Sequence, residues 1–136
     1  MEEEAKLAGG NIHFVLGNHE RYLLDGRTKS IATKYYGTFR TTDMSQRELW
    51  SEKSELGRWL RSKPVLLKIG TTLFVHAGIS PKVLAMNPTL QSIDKEAENN
   101  FVTDDVVRRT IEGSAIHDAK GILFYRGLAQ DRTADN

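Results

Sequence analysis

The sequence predicts an α/β fold in which helices cover a β-sheet. Three short apolar stretches, NIHFVL, VLLKI and TLFVH, are rich in the β-branched and aromatic residues that strands favour. Stretches with apolar residues at helical spacing lie between and after them. This order of strand, helices, hairpin and helices is typical of an architecture in which helices pack on a sheet.

The composition is that of one globular domain, with 136 residues of which 39% are hydrophobic and 27% charged. The formal net charge of +1 gives no global attraction to nucleic acid or to a membrane surface, so we expect neither as a partner. Cysteine is absent, which excludes disulfides and thiolate metal sites. The start MEEEAKLAGG is acidic where a signal peptide is basic, and no apolar run is long enough to span a bilayer. We therefore expect a soluble, cytoplasmic protein.

The first part of the chain predicts a helix, a strand and two further helices. EEEAKLA has the pattern of a helix end, closed by Gly9 and Gly10. NIHFVL follows as a strand. ERYLLD then predicts a short helix that ends at Gly26, and KSIATKYYG predicts a second that ends at Gly37.

The rest of the chain predicts one long helix, a hairpin and a helical region. TTDMSQRELWSEKSELGRWLRS reads as a loop and then one amphipathic helix, with Asp43 or Ser45 as its N-cap and Pro64 at its end. VLLKI and TLFVH form a β-hairpin. NPTLQSIDKEAENNF, capped by Asn87 or Thr89, and TDDVVRRTIEG each predict a helix, and ILFYRG is a last short apolar run.

Polar clusters follow two of the predicted strands. Asn18, His19 and Glu20 come directly after NIHFVLG, and His76 ends TLFVH. In open α/β sheets, ligands bind in the loops beyond the carboxyl ends of the strands. An amide oxygen and a neutral imidazole are both suitable metal ligands, and neither adds negative charge that would repel a phosphate. The clusters therefore indicate a metal-assisted site for phosphate chemistry.

The motifs GNHE and HAGISP together resemble those of the calcineurin-like metallophosphoesterases, specifically the phosphoprotein phosphatase branch. The separation of the two motifs, the arginine after GNHE and the later FYRG are most similar to the bacterial, Shewanella-like members. The resemblance covers the chain from about Gly10 to Leu128. It implies a metallophosphoesterase fold with central β-sandwich-type sheets flanked by helices. It also implies hydrolysis of phosphomonoesters, on a phosphorylated protein or a small phosphoester, by a metal-bound hydroxide and a histidine general acid.

The resemblance also implies a role for each of five residues. Asn18 and His76 match two ligands of the same metal ion. His19 matches a histidine that binds no metal and protonates the leaving oxygen. Arg126 resembles an arginine that clamps the phosphate, and Glu20 matches a position that supports the loop.

The sequence also departs from the family pattern. The expected N-terminal motifs GDxHG and GDxxDRG do not occur, nor does a C-terminal GHT-like segment. We therefore expect residues 1–136 to be the central and C-terminal part of a single metallophosphoesterase domain. The complete enzyme would hold two divalent ions, manganese, iron or zinc. The isolated chain should have low metal occupancy, be inactive and self-associate.

Each of these residues also has a structural alternative. Asn18 could serve only as a turn residue, and His76 as a buried histidine at a strand end. Arg126 could simply extend its head group to solvent, and Arg21 fits a phosphate contact or a surface ion pair equally well. His117 has no predicted role. The second hypothesis is therefore a non-catalytic phosphate-binding or interaction module.

Overall fold

The structure is a computed structural model that describes residues 1–27, 31–37, 41, 43–101 and 113–130, with the backbone alone for 98–101. The described strands are β1 (Leu66–Ile69) and β2 (Thr72–Val75), and a 3₁₀-helix spans Thr33–Tyr35. The described α-helices are α1 (Glu2–Leu7), α2 (Asn18–Leu24), α3 (Gln46–Leu49), α4 (Glu55–Arg61), α5 (Pro81–Ala85), α6 (Leu90–Phe101) and α7 (Gly127–Gln130). Within the described ranges, none of the helices has the length and apolar character needed to cross a lipid bilayer.

The predicted hairpin is confirmed. β1 and β2 pair antiparallel, with Leu66 opposite Val75 at the open end of the hairpin. Because strand residues alternate between faces, these two share the face that contacts the core, and Leu66 is 6% exposed. Leu73, on that same face, is 43% exposed, and Ile69 and Phe74, on the other face, are each 46% exposed. The hairpin is therefore packed at its open end and exposes apolar side chains toward its turn.

The core lies between the hairpin, α2, α4, α5 and α6. Its buried apolar residues include Leu16, just before α2, and Ile116, Ile122 and Leu123 in the segment 113–125. Two contacts fix that segment to α5: Ser80 Oγ donates to the carbonyl oxygen of Lys120 at 2.5 Å, and Lys82 Nζ lies 2.7 Å from Asp118 Oδ2. The parts of the chain that carry the candidate site residues thus pack on one core.

The strand predicted for NIHFVL is wrong. Residues 11–16 form neither a helix nor a strand, and the backbone bond described to a neighbouring segment is from Leu16 N–H to the carbonyl oxygen of Pro64, at 2.9 Å. A strand is defined by a ladder of such bonds with its neighbour, and composition alone cannot supply the neighbour. The segment nevertheless places Leu16 in the core and Gly17 at the start of α2.

The single long helix predicted after the Asp43 loop is also wrong, because it is divided into α3 and α4. Ser45 caps α3, since its hydroxyl accepts from Glu48 N–H at 3.2 Å. Ser54 caps α4, since its hydroxyl accepts from Gly57 N–H at 2.8 Å and donates to the carbonyl oxygen of Leu49 at 2.5 Å. Serine hydroxyls compete with the helical hydrogen bonds of the backbone in this way, which ends one helix and begins the next.

The other predicted helices have mixed outcomes. α1, α2 and α6 confirm the predictions for their segments, and Thr89 provides the cap of α6, since its Oγ1 accepts from Ser92 N–H at 3.0 Å. KSIATKYYG was expected to be an α-helix that ends at Gly37; its described part, residues 31–37, has the short 3₁₀-helix followed by α-helical residues 36–37. The helix predicted for TDDVVRRTIEG lies outside the described residues. Among the residues described, the fold is mixed, with helices and a two-stranded sheet, and the β-sandwich implied by the resemblance stays a prediction.

Candidate functional site

Asn18 and His76 meet in the folded chain. Asn18 is the first residue of α2, and His76 follows β2 directly. Although the two residues are 58 positions apart in sequence, His76 Nε2 lies 2.9 Å from Asn18 Oδ1. A protonated Nε2 donates to the amide oxygen, and loss of that proton would leave both atoms with lone pairs for a cation.

The spacing of these two atoms fits adjacent ligands of one metal ion. Two ligand atoms each about 2.1 Å from an ion and at right angles are about 3.0 Å apart. The observed separation of 2.9 Å agrees with that value. Among the described residues, no group of three or more His, Asp or Glu side chains comes together as a metal cluster.

Gly17 allows this contact because it has no side chain. A Cβ atom at Gly17 would lie 2.8 Å from His76 Nδ1 and 2.8 Å from Glu20 Oε2. Glu20 also accepts a hydrogen bond from Gly17 N–H at 2.9 Å, which caps the start of α2. The supporting role predicted for Glu20 agrees with this contact, and the glycine of GNHE is required by close packing.

His19 is exposed, and a row of aromatic rings extends from it. The His19 ring is 5.8 Å from the Tyr22 ring, which in turn is 5.9 Å from the ring of Phe124. Phe124 lies two residues before Arg126, whose side chain is exposed. The row of rings thus runs from the predicted proton donor to a residue two positions before the predicted phosphate clamp.

A second contact brings the Arg126 segment to the loop after β2. Gly78 has φ +117°, and a Cβ built on it would lie 2.7 Å from Cδ1 of Leu128. α7, which contains Leu128, therefore packs directly against the HAG motif. The segments that carry His76 and Arg126 are neighbours.

A buried polar cluster beside the site was missed by the sequence analysis. Arg21 is 3% exposed, so it is not a surface residue as the ion-pair alternative supposed. Its Nε–H donates to His117 Nδ1 at 3.3 Å, and its Nη1 forms an ion pair with Asp25. The spacing of Arg21 and Asp25 by four positions was a usable signal for the ion pair. Nothing in the sequence indicated that His117 would join them.

Burial shifts the pKa values of the two titratable partners in this cluster. It raises the pKa of Asp25 to about 6, although the charge of Arg21 acts in the opposite direction. Burial, reinforced by the charge of Arg21, lowers the pKa of His117 to about 4. His117 is therefore neutral at pH 7, and Asp25 is ionised.

The polar cluster forms one wall of a cleft of about 320 Å³, which we call the arginine cleft. Its lining includes Arg21, Tyr22, Asp25, Arg27, Phe124 and Arg126. His117 also contributes to the wall. The cleft thus begins beside the ring next to His19 and includes Arg126.

Comparison with solved structures relates the fold of this chain to phosphatases. No protein-family model matches the sequence. An uncharacterised protein of Schizosaccharomyces pombe is 28% identical over 134 residues, which cover 96% of this chain and 40% of that protein. A solved structure of a cold-active protein tyrosine phosphatase at 1.1 Å has a TM-score of 0.80 and 27% identity, over 96% of this chain and 39% of that one. The cold-active protein-tyrosine phosphatase of a psychrophilic Shewanella species has a TM-score of 0.81 and 25% identity, over 98% and 41%.

The resemblance predicted from the sequence is therefore confirmed, because the similar solved structures are cold-active protein tyrosine phosphatases, one of them from a Shewanella species. The chain spans about two fifths of the length of the curated relative and of the solved structures. This proportion is consistent with a partial domain.

Proposed function

We propose that this chain is part of a metal-dependent phosphatase that hydrolyses phosphomonoesters. The observation that carries the proposal is the 2.9 Å contact between Asn18 Oδ1 and His76 Nε2, in a fold shared with phosphatases. The similar solved structures are protein tyrosine phosphatases, so we include phosphotyrosine among the candidate substrates.

Asn18 and His76 would hold one of the two divalent ions. Gly17 keeps the His76 ring close to Asn18, because no Cβ intervenes. The other ligands would come from motifs that this sequence lacks. When bound, the ions would activate water and neutralise charge on the phosphate.

The remaining predicted residues would act on the substrate or hold the loop. His19 is exposed, so it can reach a substrate and donate a proton to the leaving oxygen. Arg126 would bind the phosphate oxygens through its planar fork of N–H donors. Glu20 would hold the loop by accepting from Gly17 N–H.

Paramagnetic Mn²⁺ tests the metal role of Asn18 and His76 without requiring activity. Added in small amounts to the isotopically labelled chain, it should selectively broaden the Asn18 side-chain amide and His76 ring signals. His76→Ala should remove the broadening at Asn18, because an amide oxygen alone holds the ion poorly. His13→Ala is the matched control, since His13 is exposed and precedes the motif. No preferential broadening at Asn18 and His76, or broadening at Asn18 that survives His76→Ala, would contradict the proposal.

A further inference from the structure

The arginine cleft has the charge of an anion-binding site. Among the described residues that line it, three carry a guanidinium group and one carries a carboxylate. His117 adds no charge at neutral pH, because burial keeps its pKa at about 4. A concave site lined by charge of one sign attracts ligands of the opposite sign.

The chain's own carboxylate already occupies part of the cleft. Asp25 forms an ion pair with Arg21, and its Oδ2 lies 4.0 Å from Nε of Arg27. The Asp25 side chain is 5% exposed, whereas that of Arg27 is 42% exposed. The arginines are therefore arranged to hold an oxyanion, and Arg27 remains accessible from solvent.

Aromatic rings keep the accessible arginine against the wall of the cleft. The Arg27 guanidinium lies 5.7 Å from the centre of the Tyr22 ring, within the range of a cation–π contact. Tyr22 also contacts the rings of His19 and Phe124. A ligand whose phosphate lies between His19 and Arg126 would therefore have the arginine cleft beside it.

We propose that Arg21 and Arg27 of the arginine cleft bind a second anionic group of the substrate, a carboxylate or a second phosphate, while Arg126 binds the phosphate to be removed, and that Asp25 competes with the second group for Arg21 and Arg27. The proposal names the substrate class of the site and rests on the proposed function. A peptide with an acidic or phosphorylated residue near the phosphate to be removed has this chemistry.

Competition by Asp25 makes anion binding depend on pH. The charged and titratable groups described near Asp25 are Arg21 on α2, Arg27 just beyond α2, neutral His117 from the segment 113–125 and Arg126 in the lining of the same cleft, with Arg61 of α4 close to Arg21. Below pH about 6 Asp25 becomes neutral and stops competing. A ligand that stays fully charged should therefore bind more tightly as the pH falls through that value.

Binding of small anions to the 136-residue chain tests the proposal, with NMR signals of the arginine side chains as the readout. Sulfate represents a phosphate group, and its charge does not change between about pH 5 and about pH 8. Succinate at the upper pH represents a carboxylate. The variants are Arg27→Ala, Asp25→Asn and the control Lys53→Ala, which removes an exposed positive charge outside the cleft.

Sulfate or succinate should shift the signals of Arg27 and of residues 121–126. Arg27→Ala should weaken binding about tenfold, as loss of a charge-assisted contact does, and Lys53→Ala should change it less than about twofold. Asp25→Asn should strengthen binding and remove its pH dependence; if that variant fails to fold, the pH dependence of the unmutated chain tests the same point. The anion with the lower dissociation constant identifies the chemical group that the cleft prefers.

Absence of binding by both anions would overturn the proposal, as would equal losses in Arg27→Ala and Lys53→Ala. Sulfate binding in the unmutated chain that weakened as the pH fell would contradict competition by Asp25. These measurements need neither metal nor turnover. Failure of Mn²⁺ to select Asn18 and His76 would therefore count against the proposed function and leave the anion result to be judged separately.

Discussion

Gly17 is the residue whose replacement should most directly disturb the candidate site. Gly17→Ala would bring a methyl group within 2.8 Å of both the His76 ring and the Glu20 carboxylate. We expect the His76 ring to move from Asn18 and the free energy of unfolding to fall by about 1–3 kcal/mol. Mn²⁺ should then broaden the Asn18 and His76 signals less selectively.

Gly37→Ala is the matched control for that substitution. A Cβ at Gly37 would have no heavy atom within 4 Å among the described neighbours, so the Mn²⁺ response should not change. The free energy of unfolding should rise by about 0.4–1 kcal/mol, because alanine restricts the unfolded chain more than glycine does. Equal effects of the two substitutions would show that the space beside Gly17 is not what allows the His76 ring to lie close to Asn18.

His19 should control the protonation of the leaving oxygen in an enzyme with the complete ligand set. His19→Asn should lower kcat about 10²–10⁴-fold for an alkyl phosphate, whose leaving group needs a proton. The loss should be much smaller for a nitrophenyl phosphate, whose leaving group departs without one. The measurement is kcat for both substrates, with metal content determined in parallel. Equal losses on both substrates would exclude His19 as the acid.

For single residues, the sequence predicted the site residues that lie within recognisable motifs and missed those that do not. Asn18 and His76 could be paired because each follows an apolar run and carries a ligand-type side chain. The position of His117 could not be predicted, because a contact 96 residues from Arg21 depends on how the segment 113–125 folds back onto the core. Such contacts leave no local pattern.

At the scale of elements, the contact between α2 and the segment 113–125 should show two opposing pH effects. The pKa of Asp25 is raised, so the folded state binds more protons than the unfolded state between about pH 4 and 6, and stability falls as pH rises. The pKa of His117 is lowered, so the unfolded state binds more protons over nearly the same range, and stability rises with pH. The two effects should largely cancel in the unmutated chain.

Single substitutions should separate the two effects. In Asp25→Asn the stability should rise by about 2 kcal/mol from pH 4 to pH 6.5, and in His117→Gln it should fall by a similar amount. Urea unfolding at several pH values measures both slopes. A free energy of unfolding that changes steeply with pH in the unmutated chain would contradict the opposite effects assigned to Asp25 and His117. The same pH dependence in both variants would contradict them as well.

The element predictions succeeded where a local signal was sufficient. The hairpin and α6 were predicted because alternation, turn residues and caps all lie within the segment itself. The strand at NIHFVL failed because pairing is a property of the neighbour, and the long helix failed because Ser54 forms a cap in its middle. Serine is compatible with either a helix interior or a cap, and the sequence pattern could not decide between them.

At the scale of the whole molecule, we expect the isolated chain to be inactive and nearly free of metal. Two neutral ligands are too few to hold a divalent ion tightly, and a pair of ions about 3.5–4 Å apart needs further groups to offset their repulsion. Elemental analysis and hydrolysis of a nitrophenyl phosphate measure the two properties. Stoichiometric metal with turnover would show that other residues of this chain complete the site.

The exposed apolar side chains of the hairpin should make the chain self-associate. Leu73 is 43% exposed, and Ile69 and Phe74 are each 46% exposed. Sedimentation should show a mean mass that rises with concentration. Phe74→Thr should reduce that rise. Leu7→Thr is the control: Leu7 is 90% exposed but lies on α1 and not on the hairpin, so this substitution should leave the rise unchanged. An effect of Leu7→Thr as large as that of Phe74→Thr would assign the association to general apolar exposure.

The contact between Asn18 and His76 also links the candidate site to folding. It joins residues 58 positions apart, and closing a flexible loop of that length costs roughly 4 kcal/mol in chain entropy. An ion held by both side chains would act as a reversible cross-link, because the unfolded chain keeps its two ligands far apart. Each tenfold increase in free ion above its dissociation constant would then add about 1.4 kcal/mol to the folded state. The melting temperature would therefore report the occupancy of the site.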